Sequence, residues 1–418
     1  MPLPNGEPRS IARPVIALAT PRLAPPPSLE LFVRDSLLAR NAIAEACFAR
    51  EAPALALVCQ EMSARFLRGG RLLAFGRAAC ATDAAHVSVE FVHPVIVGKR
   101  ALPALDLSAG FAPWTSAICR PDDIAIGFGP PDGDAEVSAA LATLGRAGVQ
   151  TLALPGREGD YALAPPSTDP FVHQEIVEIL YHTLWETVHV FFEYRPRGHD
   201  VGEASFLYPY LGREEQDTNS VLETVAASIR EKAGDDAQLR ARVAAGQSDR
   251  IVAAASLIAE RVKVGGKLLV FGNGGSATDA NDLAIDCVAP PKGYRPIPAL
   301  SLSLEPATIS AIANDIGPDA IFLRQLIAHA APDDVAVAFS TSGNSRNVVA
   351  ALEEARRRGL STIALLGDDG GEIVRRGLAD VAMIAPSDYI PRIQEVQASV
   401  YHVLRDAVER CLTGGTDA

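Results

Sequence analysis

The chain carries one passage twice, and the two copies have kept different residues. Residues 71–94, RLLAFGRAACATDAAHVSVEFVHP, align without gaps on residues 267–290, KLLVFGNGGSATDANDLAIDCVAP, with 10 identities in 24 positions. Each copy must therefore build the same unit of structure, and a chain of 418 residues has room for two domains of ordinary size. Apolar residues at helical spacing precede each copy: Leu31, Val33, Leu37, Leu38 and then Leu55, Val58, Met62 in the first half; Val221, Val225, Ile229 and then Ile251, Ala255, Ile258, Val262 in the second. Both runs end at two glycines and a basic residue, Gly69-Gly70-Arg71 and Gly265-Gly266-Lys267. That is a helix stop, followed at once by a short apolar strand, LLAF or LLVF.

The alternation continues in both halves. Strands are predicted at 102–107, 124–128 and 150–154, and again at 297–303, 335–340, 361–366 and 380–384, with helices between. Helices alternating with short apolar strands imply an α/β fold with a parallel sheet covered on both faces. The expected division is a proline-rich extended arm (1–28), a first domain (29–194), a linker rich in glycine and proline (195–218), a second domain (219–412) and a tail (413–418).

Composition narrows the class. Hydrophobic residues make up 48% and charged residues 21%, as in a soluble protein with a substantial core, and the formal charge is −13. An acidic chain without a clustered basic face is not expected to bind nucleic acid, although a single phosphate needs only a local nest of donors. No run approaches the roughly 18 apolar residues of a membrane span, and no basic stretch followed by an apolar one marks a secretory leader. Six scattered cysteines without a Cys-x-x-Cys pair point to a reducing, cytoplasmic setting.

Two turns in the second half have the chemistry of phosphate cradles: Gly272-Asn273-Gly274-Gly275-Ser276 and Ser340-Thr341-Ser342-Gly343-Asn344-Ser345. Each follows a predicted strand and precedes a predicted helix, where glycine lets the backbone approach an anion and the helix start offers unpaired N–H groups. The first half has Gly76-Arg77-Ala78-Ala79-Cys80 and Gly129-Pro130-Pro131-Asp132-Gly133-Asp134 in their places. Prolines lack the N–H and carboxylates repel an anion, so no phosphate site is expected there.

The second half, about residues 219–412, resembles the sugar isomerase (SIS) domain in its phosphoheptose isomerase branch. The resemblance is carried by GNGGSATDA (272–280), AIANDIG (311–317), FSTSGNSRNVVAALEEARRRG (339–359) and RIQEVQASVYHVLRDAVE (392–409). It implies two tandem SIS domains, each a flavodoxin-like three-layer sandwich. It also implies that Asn273, Gly274, Gly275, Ser276, Ser340, Thr341, Ser342, Asn344 and Ser345 hold the substrate phosphate, with Asn314 and Asp315 as further substrate contacts. In that family a His and a Glu one helical turn apart, with a Gln and a His on the last long helix, surround a divalent metal, usually zinc. The first half matches with His86, Glu90, Gln174 and His182. The second offers Asp282, Asp286, Gln394 and His402 as the alternative set. The resemblance gives proton transfer to Glu90 and to His182 or His402.

The reading that follows is a composite site: phosphate held by the second domain, metal and proton transfer supplied largely by the first. The expected activity is that of an intramolecular oxidoreductase, an aldose–ketose isomerase acting on a phosphorylated sugar, with sedoheptulose 7-phosphate to glycero-manno-heptose 7-phosphate as the leading substrate pair. A homodimer resembling a tetramer of SIS domains is expected to bring the halves face to face. The rival reading is a non-catalytic phosphosugar-binding protein with a regulatory or assembly role. Pro94 and Pro290 stand where heptose-phosphate isomerases usually carry arginine, which leaves the sugar open. His93, His173, His189, His199 and His329 are read as structural.

Overall fold

The computed structural model describes residues 27–96, 98–193 and 218–414. The expected arm, linker and tail fall largely outside these ranges. Each repeat builds a five-stranded, wholly parallel sheet. In the first, β1 (Leu72–Phe75), β2 (Ala104–Asp106), β3 (Ile124–Phe128), β4 (Gln150–Leu154) and the short β5 (Tyr161–Ala162) lie in the order β2-β1-β3-β4-β5. In the second, β6 (Leu268–Phe271), β7 (Ala299–Ser301), β8 (Val335–Ser340), β9 (Ser361–Gly367) and β10 (Val381–Ala385) lie in the same order, β7-β6-β8-β9-β10. Register is equally conserved: Leu72 pairs with Ala104 and Ile124, as Leu268 pairs with Ala299 and Val335. All strand pairs are parallel, so every crossover must pass over a sheet face, which is why the strands are apolar on both sides.

The helices are α1 (Pro27–Leu67), α2 (Cys80–Val92), α3 (Phe111–Ile118), α4 (Ala135–Arg146) and α5 (Pro170–Glu193) in the first half. The second half has α6 (Thr218–Lys263), α7 (Gly275–Val288), α8 (Pro306–Asp315), α9 (Ile321–His329), α10 (Arg346–Arg357), α11 (Gly371–Arg375) and α12 (Ile390–Thr413). Side chains alternate across each strand. Leu72, Ala74, Ile124 and Ile126 face a core shared with α1, α2 and α5, while Leu73, Phe75 and Ala125 face a second core with Phe111, Leu141 and Leu144. The second sheet repeats the division: Leu268, Val270, Val335 and Val337 face α6, α7 and α12, and Leu269, Phe271 and Ala336 face Phe322, Val348 and Leu352.

The two runs of apolar residues expected before each repeat fuse into single helices of 41 and 46 residues. At 1.5 Å per residue these are about 60 and 70 Å long, enough to run past both sheets. They pack on each other, and their ends are exchanged. Leu29, Val33 and Leu37 of α1 are buried in the second repeat's core, whereas Val221, Val225, Ile229 and Ala233 of α6 are buried in the first repeat's. Each repeat thus borrows the start of the other's long helix. The pairs α2 with α7 and α5 with α12 also pack together, so the carboxyl ends of the two sheets are brought against a common helical layer.

Candidate active site

In each sheet the strand order reverses between the first strand and its neighbours, and open α/β sheets bind ligands in the crevice at that point. In the second repeat the crevice lies between the ends of β6 and β8, where both predicted cradles sit. Gly272 approaches its own helix so closely that a Cβ would stand 2.4 Å from the Ser276 carbonyl oxygen. Gly274 has φ +56° and Gly343 φ +62°, and a Cβ on Gly343 would collide with the Gly370 carbonyl. The two turns are fastened by a reciprocal amide pair: Asn273 Nδ2 donates to Asn347 Oδ1 at 3.0 Å, and Asn347 Nδ2 to Asn273 Oδ1 at 2.8 Å. Ser345 begins α10 without capping it by its side chain, leaving that helix start open to an anion.

The first repeat retains the backbone shape but not the donors. Ala78, opposite Gly274 in the alignment, holds φ +51°, a conformation costly for any residue with a Cβ. Asp134 occupies the start of α4 with its own carboxylate, accepting from Glu136 N at 2.9 Å and Val137 N at 3.0 Å. The helix end that could meet a phosphate is already neutralised.

Against the intact turn of the second repeat stand imidazoles of the first. A Cβ on Gly275 would collide with Gln394 Nε2 and stand 2.5 Å from His86 Nε2. His86 Nε2 lies 3.4 Å from His182 Nε2, 3.3 Å from the Gln394 amide and 3.9 Å from Glu90 Oε1. Tyr181 Oη lies 2.9 Å from His86 Nδ1, and Glu395 Oε1 lies 3.0 Å from His182 Nδ1. Arg392 grips Glu395 at 2.5 Å. Glu178, one turn before His182 on α5, completes a group with His86 and His182 whose ligand atoms lie within 4.8 Å of one another.

The electrostatics are those of a dry, crowded centre. Burial pushes His86 down to about 3 and His182 well below the ordinary imidazole range, His182 further by the charges of His86 and Arg392. Both are therefore neutral at pH 7. Burial, then the Glu186 charge, pushes Glu90 up to about 8, and burial with Asp279 raises Glu178 well above its usual range. Glu90 Oε2, Glu178 Oε1 and Gln394 Oε1 are buried without a hydrogen-bond partner. Two neutral imidazoles facing nitrogen to nitrogen, with three unpaired oxygens near them, form a donor set suited to a cation. Bonds of about 2.05 Å in a tetrahedral zinc site imply a ligand–ligand separation of about 3.3 Å. The 3.4 Å separation of His86 Nε2 and His182 Nε2 fits it, and Gln394 would offer its Oε1 only with its amide turned, since its Nε2 is the atom now 3.3 Å from His86.

A second cluster lies where the first repeat's turn meets the second repeat's helices. His402 Nε2 is 3.4 Å from Asp282 Oδ2 and 3.3 Å from Asp286 Oδ2, and its Nδ1 is 3.0 Å from Glu175 Oε1. Gln174 Nε2 donates to Asp282 Oδ1 at 3.0 Å and Asp83 Oδ2 at 3.2 Å. A cavity of about 190 Å³ adjoins, lined by Cys80, Asp83, Pro130, Pro131, Gln174 and Asp286 among others.

The sequence-derived sets are therefore redistributed. His86, Glu90 and His182 come together, but Gln174 does not join them: it bonds Asp282, and Gln394 of the other repeat takes its place. Gln174 and His182 are eight residues apart, about 12 Å along the helix axis, so one centre does not readily receive both. His402, offered as a proton-transfer residue, belongs to the second cluster with Asp282 and Asp286. The Asn344 side chain is occupied in holding its own loop, accepting from Glu372 N at 2.9 Å and donating to Ser342 O at 2.8 Å. Asn314 and Asp315 are exposed at the end of α8 and bonded to each other at 2.8 Å. His173 and His189 bond backbone carbonyls, Gly129 O at 3.2 Å and both Trp185 O and Arg100 O at 2.8 and 2.9 Å. The halves meet inside one chain, so no partner molecule is needed to bring His86 to Gly275. Three contributors escaped the sequence reading: Glu178, which stands four residues before His182 where the second repeat has Ala398, and the carboxylates Glu175 and Glu395.

Comparison with known proteins agrees with this architecture. The SIS domain matches residues 235–367. The phosphoheptose isomerase of Citrifermentans bemidjiense is 49% identical over 164 residues, covering 39% of this chain and 84% of that protein. The phosphoheptose isomerase of Chlorobium phaeobacteroides is 44% identical over 185 residues, covering 43% of this chain and 81% of that protein. Among solved structures, the tagatose-6-phosphate ketose/aldose isomerase from Escherichia coli superposes with a TM-score of 0.54 at 15% identity, over 94% of this chain and 97% of that one. At that identity the likeness shows the fold alone, and it extends through both sheets.

Proposed function

Because this chain belongs to the phosphoheptose isomerase family of SIS-domain proteins, we propose that it is a phosphosugar isomerase whose single productive site is shared by its two repeats. The observation that carries the reading is the contact between His86 of the first repeat and the Gly275 turn of the second. The substrate phosphate rests on Gly274–Ser276 and on Ser340, Thr341, Ser342 and Ser345, where backbone N–H groups, hydroxyls and two helix starts converge. Sedoheptulose 7-phosphate, converted to glycero-manno-heptose 7-phosphate, is the leading substrate by kinship, with related phosphosugars as the tested alternatives.

Glu90 takes the proton beside the carbonyl and the neutral imidazole of His182 handles the second transfer. A carboxyl raised to about 8 exchanges a proton near neutral pH, which suits a general acid–base. Glu395 fixes His182 through Nδ1, leaving Nε2 to face the site. His86, His182 and Gln394, with Glu90 or Glu178, would hold a divalent cation, zinc by donor type, and that ion would supply stabilisation of negative charge on the sugar oxygens. A homodimer is part of the proposal, measured by light scattering.

Turnover of sedoheptulose 7-phosphate by the purified chain tests the whole. His182→Ala and Ser342→Ala, one in each repeat, are each expected to lower kcat at least 10²-fold. Full activity in either variant would refute a shared site.

A further inference from the structure

We propose that α11 braces the anion turn Ser340–Ser345, and that Asn344 is the positioning residue through which the brace acts. The inference rests on the proposed phosphate cradle and adds what holds that cradle in shape. Asn344 Oδ1 accepts from two groups of α11, Glu372 N at 2.9 Å and Arg375 Nη2 at 3.2 Å. Asn344 Nδ2 donates back to Ser342 O at 2.8 Å, and Asn344 N donates to Ser342 Oγ at 3.2 Å. One side chain therefore ties the short helix to a hydroxyl-bearing residue of the turn. The backbones meet as well. Ile373 N donates to Gly343 O at 3.1 Å, and a Cβ on Gly371 would stand 2.4 Å from Ser342 O and 2.7 Å from Asn344 Oδ1. Ser342 Oγ serves as an acceptor in these contacts, so its proton stays free to donate to a phosphate oxygen.

The first repeat supplies the comparison. Thr151 N and Oγ1 donate to Asp160 Oδ2, as Thr362 N and Oγ1 donate to Asp380 Oδ2, so Asp160 and Asp380 are equivalent points of the two repeats. The partners are nine residues apart in the first repeat and eighteen apart in the second. The extra length carries α11. Its Ile373 is 0% exposed and the following Leu378 is 6% exposed, both packed in the core of Ala336, Val348 and Leu352. The shorter connection 155–160 holds no helix, and a cavity of about 890 Å³ lies there, lined by Asp132, Gly133, Leu141 and Gly156 among others. Counting on from the equivalent strand starts Ile124 and Val335, Gly133 stands where the second repeat has Asn344. Brace, asparagine and hydroxyl turn are present together in one repeat and missing together in the other. An unbraced turn must be ordered by the anion as it binds, and that ordering lowers affinity.

The test uses the full chain and two readouts that do not depend on turnover. Asn344 and Arg375 are exposed, so Asn344→Ala and Arg375→Ala leave the fold intact. The first readout is hydrogen exchange without ligand at the amides of Gly343 and Ile373, which bond Ser340 Oγ and Gly343 O. Exchange at both is expected to be at least tenfold faster in Asn344→Ala than in the unmodified chain. The second is calorimetric titration with inorganic phosphate. Its dissociation constant should rise at least tenfold in Asn344→Ala, and by less, in the same direction, in Arg375→Ala. Unchanged exchange in Asn344→Ala overturns the brace. Faster exchange with unchanged phosphate affinity overturns the positioning role. Failure of the unmodified chain to bind phosphate removes the proposed cradle and the positioning role with it, while the exchange result decides the brace separately.

Discussion

Gly275 is the residue on which the proposed shared centre turns. Its α-hydrogens face the Gln394 amide and the His86 imidazole, so any side chain there must displace groups from both repeats. Gly275→Ala is expected to cut kcat by two orders of magnitude or more while leaving the circular dichroism spectrum unchanged, because the backbone at this helix start suits alanine. The sequence disclosed the turn itself, since glycines and hydroxyls after a buried strand have few other uses. It did not disclose which glutamine faces which histidine. Gln174 and Gln394 occupy equivalent places in their repeats, and only the crossing of α5 and α12 decides that each serves the opposite cluster. Glu178 was hidden for another reason: a lone glutamate on a helix reads as a solvent-facing residue until its burial is known.

At the scale of elements, the strands were legible because runs such as LLAF and VAVAFS are apolar on both faces, as strands covered by helices on both sides must be. Strand limits moved by a residue or two, and β5, two residues long, carried no signal. The exchange of helix ends was not legible. Periodicity reports that Leu29, Val33 and Leu37 form an apolar stripe, but not what the stripe covers. That exchange has a measurable consequence. Leu37→Ala, although far from the second repeat in sequence, opens a cavity in the second repeat's core, at a cost of about 2–5 kcal/mol. Hydrogen exchange should show protection lost in β8 and α12 before β3; loss confined to the first sheet would contradict the packing described.

For the molecule as a whole, the helical layer between the sheets is tied by buried charge. Glu186 on α5 meets Lys232 of α6, Arg392 at 3.4 Å and Tyr389 Oη at 2.5 Å. Burial opposes its ionisation, but Lys232 and Arg392 outweigh it and bring Glu186 down to about 2. A carboxyl with a depressed pKa stabilises fully above its unfolded value near 4.5, and the contribution fades as pH falls from there toward 2. Spread over that window it amounts to about 3 kcal/mol. Urea midpoints measured between pH 7 and pH 3 should fall accordingly, and Glu186→Gln, less stable at neutral pH, should show a flatter decline. An unchanged slope would remove Glu186 from the acid response.

The reciprocal loan of helix ends also fixes stoichiometry. In the proposed site, the groups for anion capture and for acid–base chemistry are encoded once each on one polypeptide and meet without an encounter between molecules. Specific activity should then stay constant as the protein is diluted through any subunit dissociation, which separates this arrangement from one assembled by mass action. Neither half can be cut free without taking a helical turn or more of its neighbour's core with it, so the two have become a single heritable unit.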